Sequence, residues 1–140
     1  MTITKFEEIE AWQKARDLAR VVYQTTKDGQ ISRDYGLRDQ MRRAGVSIMA
    51  NIAEGFSRRS NREFCQFLFI AKSSASELQS HAYVALDQAY IGRADFEKLY
   101  DGLDHTSRMI SNLIKYLSAR SSQPTRKTPN AKNAERNERN

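Results

Sequence analysis

One cysteine, Cys65, is all the thiol that this chain of 140 residues possesses. No intrachain disulfide can therefore close, and no thiolate metal cage can be assembled from one copy. Long apolar runs are also missing, because no stretch approaches the roughly 20 apolar residues that cross a bilayer. The first eight residues turn acidic at Glu7 and Glu8 and lack the apolar core and small-residue cleavage site of a secretory signal. The expected compartment is the cytoplasm. No Gly-rich phosphate loop, His-Glu-x-x-His or Ser elbow is present, and neither His81 nor His105 shares a motif with a nucleophile. The chain is therefore expected to be no enzyme, and no cofactor is implied.

What is present is apolar spacing of helical period in four segments, separated by Gly or Asp/Ser punctuation. Ile9, Trp12, Ala15, Leu18, Ala19, Val22 and Tyr23 share one face of a first helix, about 6–27, and Asp28-Gly29 stops it. Thr4 and Glu7 have the spacing of a capping box at its start. A second helix, about 35–55, turns Leu37, Met41, Ala44, Ile48 and Ile52 inward. Gly45 within it costs about 1 kcal/mol relative to Ala, which suggests that a neighbouring backbone passes close by. Gly55 is expected to end that helix in the left-handed conformation.

Ser60 and Glu63 form a second capping box and open a third helix that runs to about Tyr90. Its core stripe is Phe64, Phe67, Leu68, Ala71, Ala75, Leu78, Ala82, Ala85 and Leu86. Phe69, Ile70, Tyr83 and Val84 lie off that stripe, so the helix has a second apolar face that calls for a partner. Asp95 is expected to cap a fourth helix, which keeps its stripe from Phe96 to about Ala119. The fold class is thus all-α, an antiparallel up-down-up-down four-helix bundle over residues 1–119. Residues 120–140 have only Ala131 and Ala134 as apolar side chains, too little to offset the entropy of ordering, and are expected to be a disordered basic tail.

The net charge of +6 is unevenly spread. Residues 120–140 set six basic side chains against Glu135 and Glu138, a net +4. Residues 38–62 set Arg38, Arg42, Arg43, Arg58, Arg59 and Arg62 against Asp39 and Glu54, again a net +4. Such a field attracts a polyanion to one region and to the tail, and it equally describes a solvated surface. Asp39 and Arg43, four apart, are expected to pair. That leaves Arg38, Arg42, Arg58, Arg59 and Arg62 as the candidate nucleic-acid contacts, to phosphate and not to bases.

Two other constellations point more to structure. Ser47, Asn51 and Glu54 are neighbours on the second helix, where Asn51 can bond a neighbouring helix or loop and Glu54 can accept from Arg58 or from backbone donors in the following turn. A di-metal bundle would need four inward carboxylates and paired histidines. Glu77 with His81 and Asp101 with His105 are the nearest candidates, but the first two helices lack inward-facing carboxylates. No metal is expected.

The run Leu37-Arg38-Asp39-Gln40-Met41-Arg42-Arg43-Ala44-Gly45-Val46-Ser47-Ile48-Met49-Ala50-Asn51-Ile52-Ala53-Glu54-Gly55 is followed by Glu63-Phe64-Cys65-Gln66-Phe67-Leu68 and Ser74-Ala75-Ser76-Glu77-Leu78. With Trp12-Gln13-Lys14-Ala15 and Tyr90-Ile91, it resembles the bacterial four-helix-bundle family first met as reading frames inside 23S rRNA intervening sequences. The resemblance spans residues 5–118, and Ser-Ile-x-x-Asn-Ile-Ala-Glu-Gly is its most specific element, with Ser47, Asn51, Glu54 and Gly55 as structural positions. It implies a homopentameric bundle without established enzymatic activity. It further implies distant kinship to the accessory proteins of diversity-generating retroelements, basic barrels that engage nucleic acid and a reverse transcriptase. The partners expected are therefore further copies of the chain, RNA or DNA, and a protein such as a reverse transcriptase. Met49 stands where the family usually has Pro, and Gly29-Gln30-Ile31-Ser32 replaces its usual Phe-Pro. An oligomeric scaffold whose partner is a protein, with arginines serving solubility, is the rival reading.

Overall fold

In the computed structural model, which describes residues 2–120, the first apolar stripe forms α1 (Glu10–Thr26), with Ala11, Ala15, Leu18, Ala19 and Val22 buried. The chain ahead of it is a separate 3-10 turn, Phe6–Glu8. The capping box expected between Thr4 and Glu7 does not form. Thr4 instead donates its backbone N–H (3.2 Å) and hydroxyl (3.1 Å) to the Glu8 carboxylate, and Ile9 precedes α1 without a side-chain cap. The extra 3-10 turn moves the helix start by one turn, so the acid within reach of Thr4 is the next one along.

Gly29, at φ 74°, is the sharp reversal that follows α1, a conformation that glycine adopts without the clash a Cβ brings. A 3-10 turn (Gln30–Arg33) buries Ile31, and Asp34 caps α2 (Tyr35–Phe56) by accepting from the Leu37 N–H at 3.2 Å. Helix α2 runs unbroken through Met49. Gly55 is not the left-handed cap expected of it. It lies inside the helix, where a Cβ would stand 2.8 Å from both Phe64 Cδ1 and Phe67 Cβ. Its missing side chain thus lets the next helix come close. At Gly45 the backbone of α1 does pass near, with Ala19 Cα 3.8 Å from where a Cβ would be.

Ser60 caps α3 (Asn61–Asp87) by accepting from the Glu63 N–H at 3.1 Å. Helix α4 (Arg93–Ser118) starts two residues before Asp95, which therefore lies in the first turn and is not the cap. There its charge still complements the positive end of the helix dipole. Helices α1 and α3 each pack against α2 and α4 and lie on the diagonal of the bundle. One continuous core results, with Met41, Ile48, Ile52, Leu68, Leu78, Leu103 and Ile110 fully buried. Among the described residues there is no strand, and no helix is long and apolar enough to cross a membrane. Of the expected tail, residues 121–140 lie outside the described residues.

Phe69, Ile70, Tyr83 and Val84 are exposed on α3, as their places off the stripe imply. Tyr83 leans on α4, its ring centroid 4.7 Å from that of Phe96 and 5.9 Å from that of Tyr100. Cys65 is buried between α3 and α4, with its sulfur 3.9 Å from the Ile114 carbonyl oxygen.

Candidate nucleic-acid interface

The antiparallel path of α2 divides the five candidate arginines. Arg38 and Arg42 lie in its first half, Arg58, Arg59 and Arg62 beyond its end. Sixteen residues separate Arg42 from Arg58, roughly 24 Å at the rise of an α-helix.

Arg38 and Arg42 are held by the fold. The Arg38 guanidinium donates to the Asp39 carboxylate (3.1 Å) and the Ser32 carbonyl (3.0 Å) and lies 4.8 Å from the Tyr35 ring centroid. Arg42 Nε donates to Thr26 Oγ1 at 2.9 Å, and its guanidinium lies 4.6 Å from the Tyr23 ring centroid. The pair expected between Asp39 and Arg43 does not form, because Asp39 is taken by Arg38, itself steered by Ser32 and Tyr35. Arg43 is exposed, and among the described residues it has no ion pair or side-chain hydrogen bond. It joins the candidates, and so does Arg33 on the same grounds. Only the fold reveals which carboxylates are already engaged.

At the other end, Arg58 is also committed. It donates to Glu54 at 2.9 Å, as the four-residue spacing implies, and stacks 4.7 Å from the Phe67 centroid. Its Nε is buried without a hydrogen-bond partner among the described residues. Arg59 and Arg62 are exposed, and among the described residues neither has an ion pair. Asn61, the first residue of α3, donates its amide to the carbonyl of Arg120 at 3.4 Å. The end of α4 is thereby placed beside the turn. Arg120 itself lies 3.7 Å over the Tyr116 ring. The acidic residues Glu7 and Glu8 share this end but belong to the α1 corner, diagonal to α3.

Ser47 and Gly55 meet α3, whereas Asn51 and Glu54 bond to Ser47 and Arg58. Ser47 Oγ is 2.8 Å from Ser74 Oγ on α3, and Asn51 donates to the Ser47 carbonyl (2.8 Å) and hydroxyl (3.0 Å). Asn51 thus bonds within its own helix, and Ser47 makes the bridge that Asn51 was expected to make. Glu77 and His81 are 3.3 Å apart on α3, while His105 is exposed on α4. Among the described residues no three His, Cys, Asp or Glu side chains converge as metal ligands would.

The family model described as 23S rRNA-intervening sequence protein matches residues 7–112. A crystal structure from Bacteroides thetaiotaomicron, of a protein of unknown function in the S23 ribosomal protein family, superposes with a TM-score of 0.64 at 25% identity. The match covers 75% of this chain and 98% of that one. No curated protein matches significantly.

Proposed function

The chain belongs to the 23S rRNA-intervening sequence protein family, and from that premise we propose a non-enzymatic, cytoplasmic, homo-oligomeric bundle that holds nucleic acid, RNA first, through phosphate contacts. The observation that carries this reading is the bond from Asn61 to the Arg120 carbonyl. It sets the exit of α4 beside Arg59 and Arg62, so five more cations, Arg126, Lys127, Lys132, Arg136 and Arg139, are tethered to that end. Guanidinium groups without a local counterion suit phosphate, and each further cation adds to the attraction. Copies of the chain multiply the field, and the exposed Phe69, Ile70 and Val84 on α3 supply apolar surface for association. A homopentamer is the assembly implied by the resemblance.

Filter binding of a structured RNA across a salt series tests the reading. Affinity should fall linearly on a log–log plot, with a slope of about 0.7–0.9 per phosphate neutralised. Removing residues 121–140, or replacing Arg59 and Arg62 by Ala, should flatten it. Absence of binding at low salt, or an unaltered slope in both variants, would sink the proposal.

The exposed face of α3 also favours a second reading, in which the oligomer is a scaffold for a protein such as a reverse transcriptase and the arginines serve solubility. Nuclease treatment separates the two: it strips a bound nucleic acid and leaves a protein partner in place.

A further inference from the structure

Two exposed tyrosines each lie against a fixed arginine on successive turns of α2. Tyr35, 63% exposed, has the Arg38 guanidinium against its ring, and Tyr23, 45% exposed, has that of Arg42. Hydrogen bonds to Ser32, Asp39 and Thr26 lock both guanidinium groups. The rings therefore rest on rigid cationic supports, and much of their surface still faces solvent. A cation–π pair that served the fold alone would gain by burying its ring, since desolvation strengthens the attraction. Here the arginine is ordered and the ring is left out.

The surroundings repeat as well. Tyr23 lines an open cleft with Arg42, Arg43, Val46 and Ser47, and Tyr35 lines another with Arg33, Asp34 and Tyr90. Each cleft thus combines a supported aromatic ring with an exposed arginine, Arg43 or Arg33, that has no ion pair among the described residues. The acids present are engaged. Asp39 pairs with Arg38, and Asp34 accepts from the Leu37 N–H and the Tyr90 hydroxyl.

We infer that Tyr23 and Tyr35 are stacking platforms for unpaired RNA bases, with Arg43 and Arg33 holding the adjoining phosphates. The inference rests on the nucleic-acid reading above and adds to it a second site, at the other end of α2, with a different selectivity. Phosphate contacts at Arg59, Arg62 and the following chain accept any strand. A stacking ring accepts only bases free of a duplex, and it tolerates every sequence because each base has a π-face.

The test uses the full chain, with a fluorescent 12-nucleotide single strand and a duplex of the same length as probes. Tyr23→Ala and Tyr35→Ala should each weaken single-strand binding about tenfold, within the range that one stacked base contributes, and leave duplex binding unchanged. Tyr23→Phe and Tyr35→Phe should restore it. Light scattering fixes the assembly mass of every variant, so that comparisons are made at one oligomeric state. If the double Ala variant binds the single strand as the parent does, or loses both probes equally, the stacking site is refuted while the phosphate reading stands. If the parent binds neither probe, both fall.

Discussion

The hydroxyl of Tyr90 donates to the Asp34 carboxylate across 3.1 Å, and so ties the turn ahead of α4 to the residue that caps α2. One carboxylate serves two elements, with Oδ1 accepting from Leu37 and Oδ2 from the phenol. The hydrogen bond to Asp34, then burial, then the charge of Asp34 raise the Tyr90 pKa above 10.0. A phenol that ionises less readily folded than unfolded stabilises the fold below its unfolded pKa. That contribution disappears as pH rises through the folded value. Tyr90→Phe should therefore lower the Tm near neutral pH, and the gap to the parent should close above about pH 10. Thermal melts across that range check it, and a gap that stays constant to the highest pH would exclude the link.

Gly45 and Gly55 of α2 should respond oppositely to alanine. At Gly55 the new methyl would meet Phe64 Cδ1 and Phe67 Cβ at 2.8 Å and the Phe64 carbonyl at 3.2 Å. Backbone and the root of a side chain cannot move aside cheaply, so Gly55→Ala should cost about 1–3 kcal/mol. At Gly45 every neighbour lies at 3.7 Å or beyond, ordinary contact. Gly45→Ala should be neutral or should stabilise by up to about 1 kcal/mol, since alanine is the better helix former. Urea denaturation of both variants decides the pair.

The helical period made the buried stripes readable from sequence because it reports which face is apolar. Met41, Ile48 and Ile52, for example, are all fully buried. Features set by chain partners farther away were not readable. That Tyr23 and Thr26 hold Arg42 is hidden from the sequence, because both lie on another helix, sixteen or more residues earlier. Gly55 carried the composition of a cap, but two phenylalanines of the next helix decide its role. Spacing alone pairs Arg43 with Asp39, and the competition from Arg38 depends on the Ser32 carbonyl in the preceding turn.

Ser47 lies at the centre of a small polar chain, between Ser74 on α3 and Asn51 one turn along α2. Ser74 is buried, so removing Ser47 Oγ leaves its hydroxyl without that bond in a poorly solvated place. Ser47→Ala should cost about 1–2 kcal/mol. Adding Ser74→Ala removes the stranded group too, so the double variant should be less destabilised than the two singles together. Strict additivity in a double-mutant cycle would show that the hydroxyl pair contributes nothing.

Arginines one residue apart should behave differently according to what each already holds. Arg58 spends its guanidinium on Glu54 and the face of Phe67, whereas Arg59 is exposed and among the described residues has no ion pair. Arg58→Ala should therefore lower stability, by about 0.5–1 kcal/mol given the partial exposure of the pair, and should leave the salt dependence of RNA binding nearly as it was. Arg59→Ala should do the reverse, with unchanged stability and a salt slope shallower by about 0.7–0.9, the value of one phosphate contact. Arg62→Ala should match Arg59→Ala. Equal effects of Arg58 and Arg59 on the slope would mean that RNA opens the bond to Glu54, and the engaged and free arginines of this turn would then form one surface.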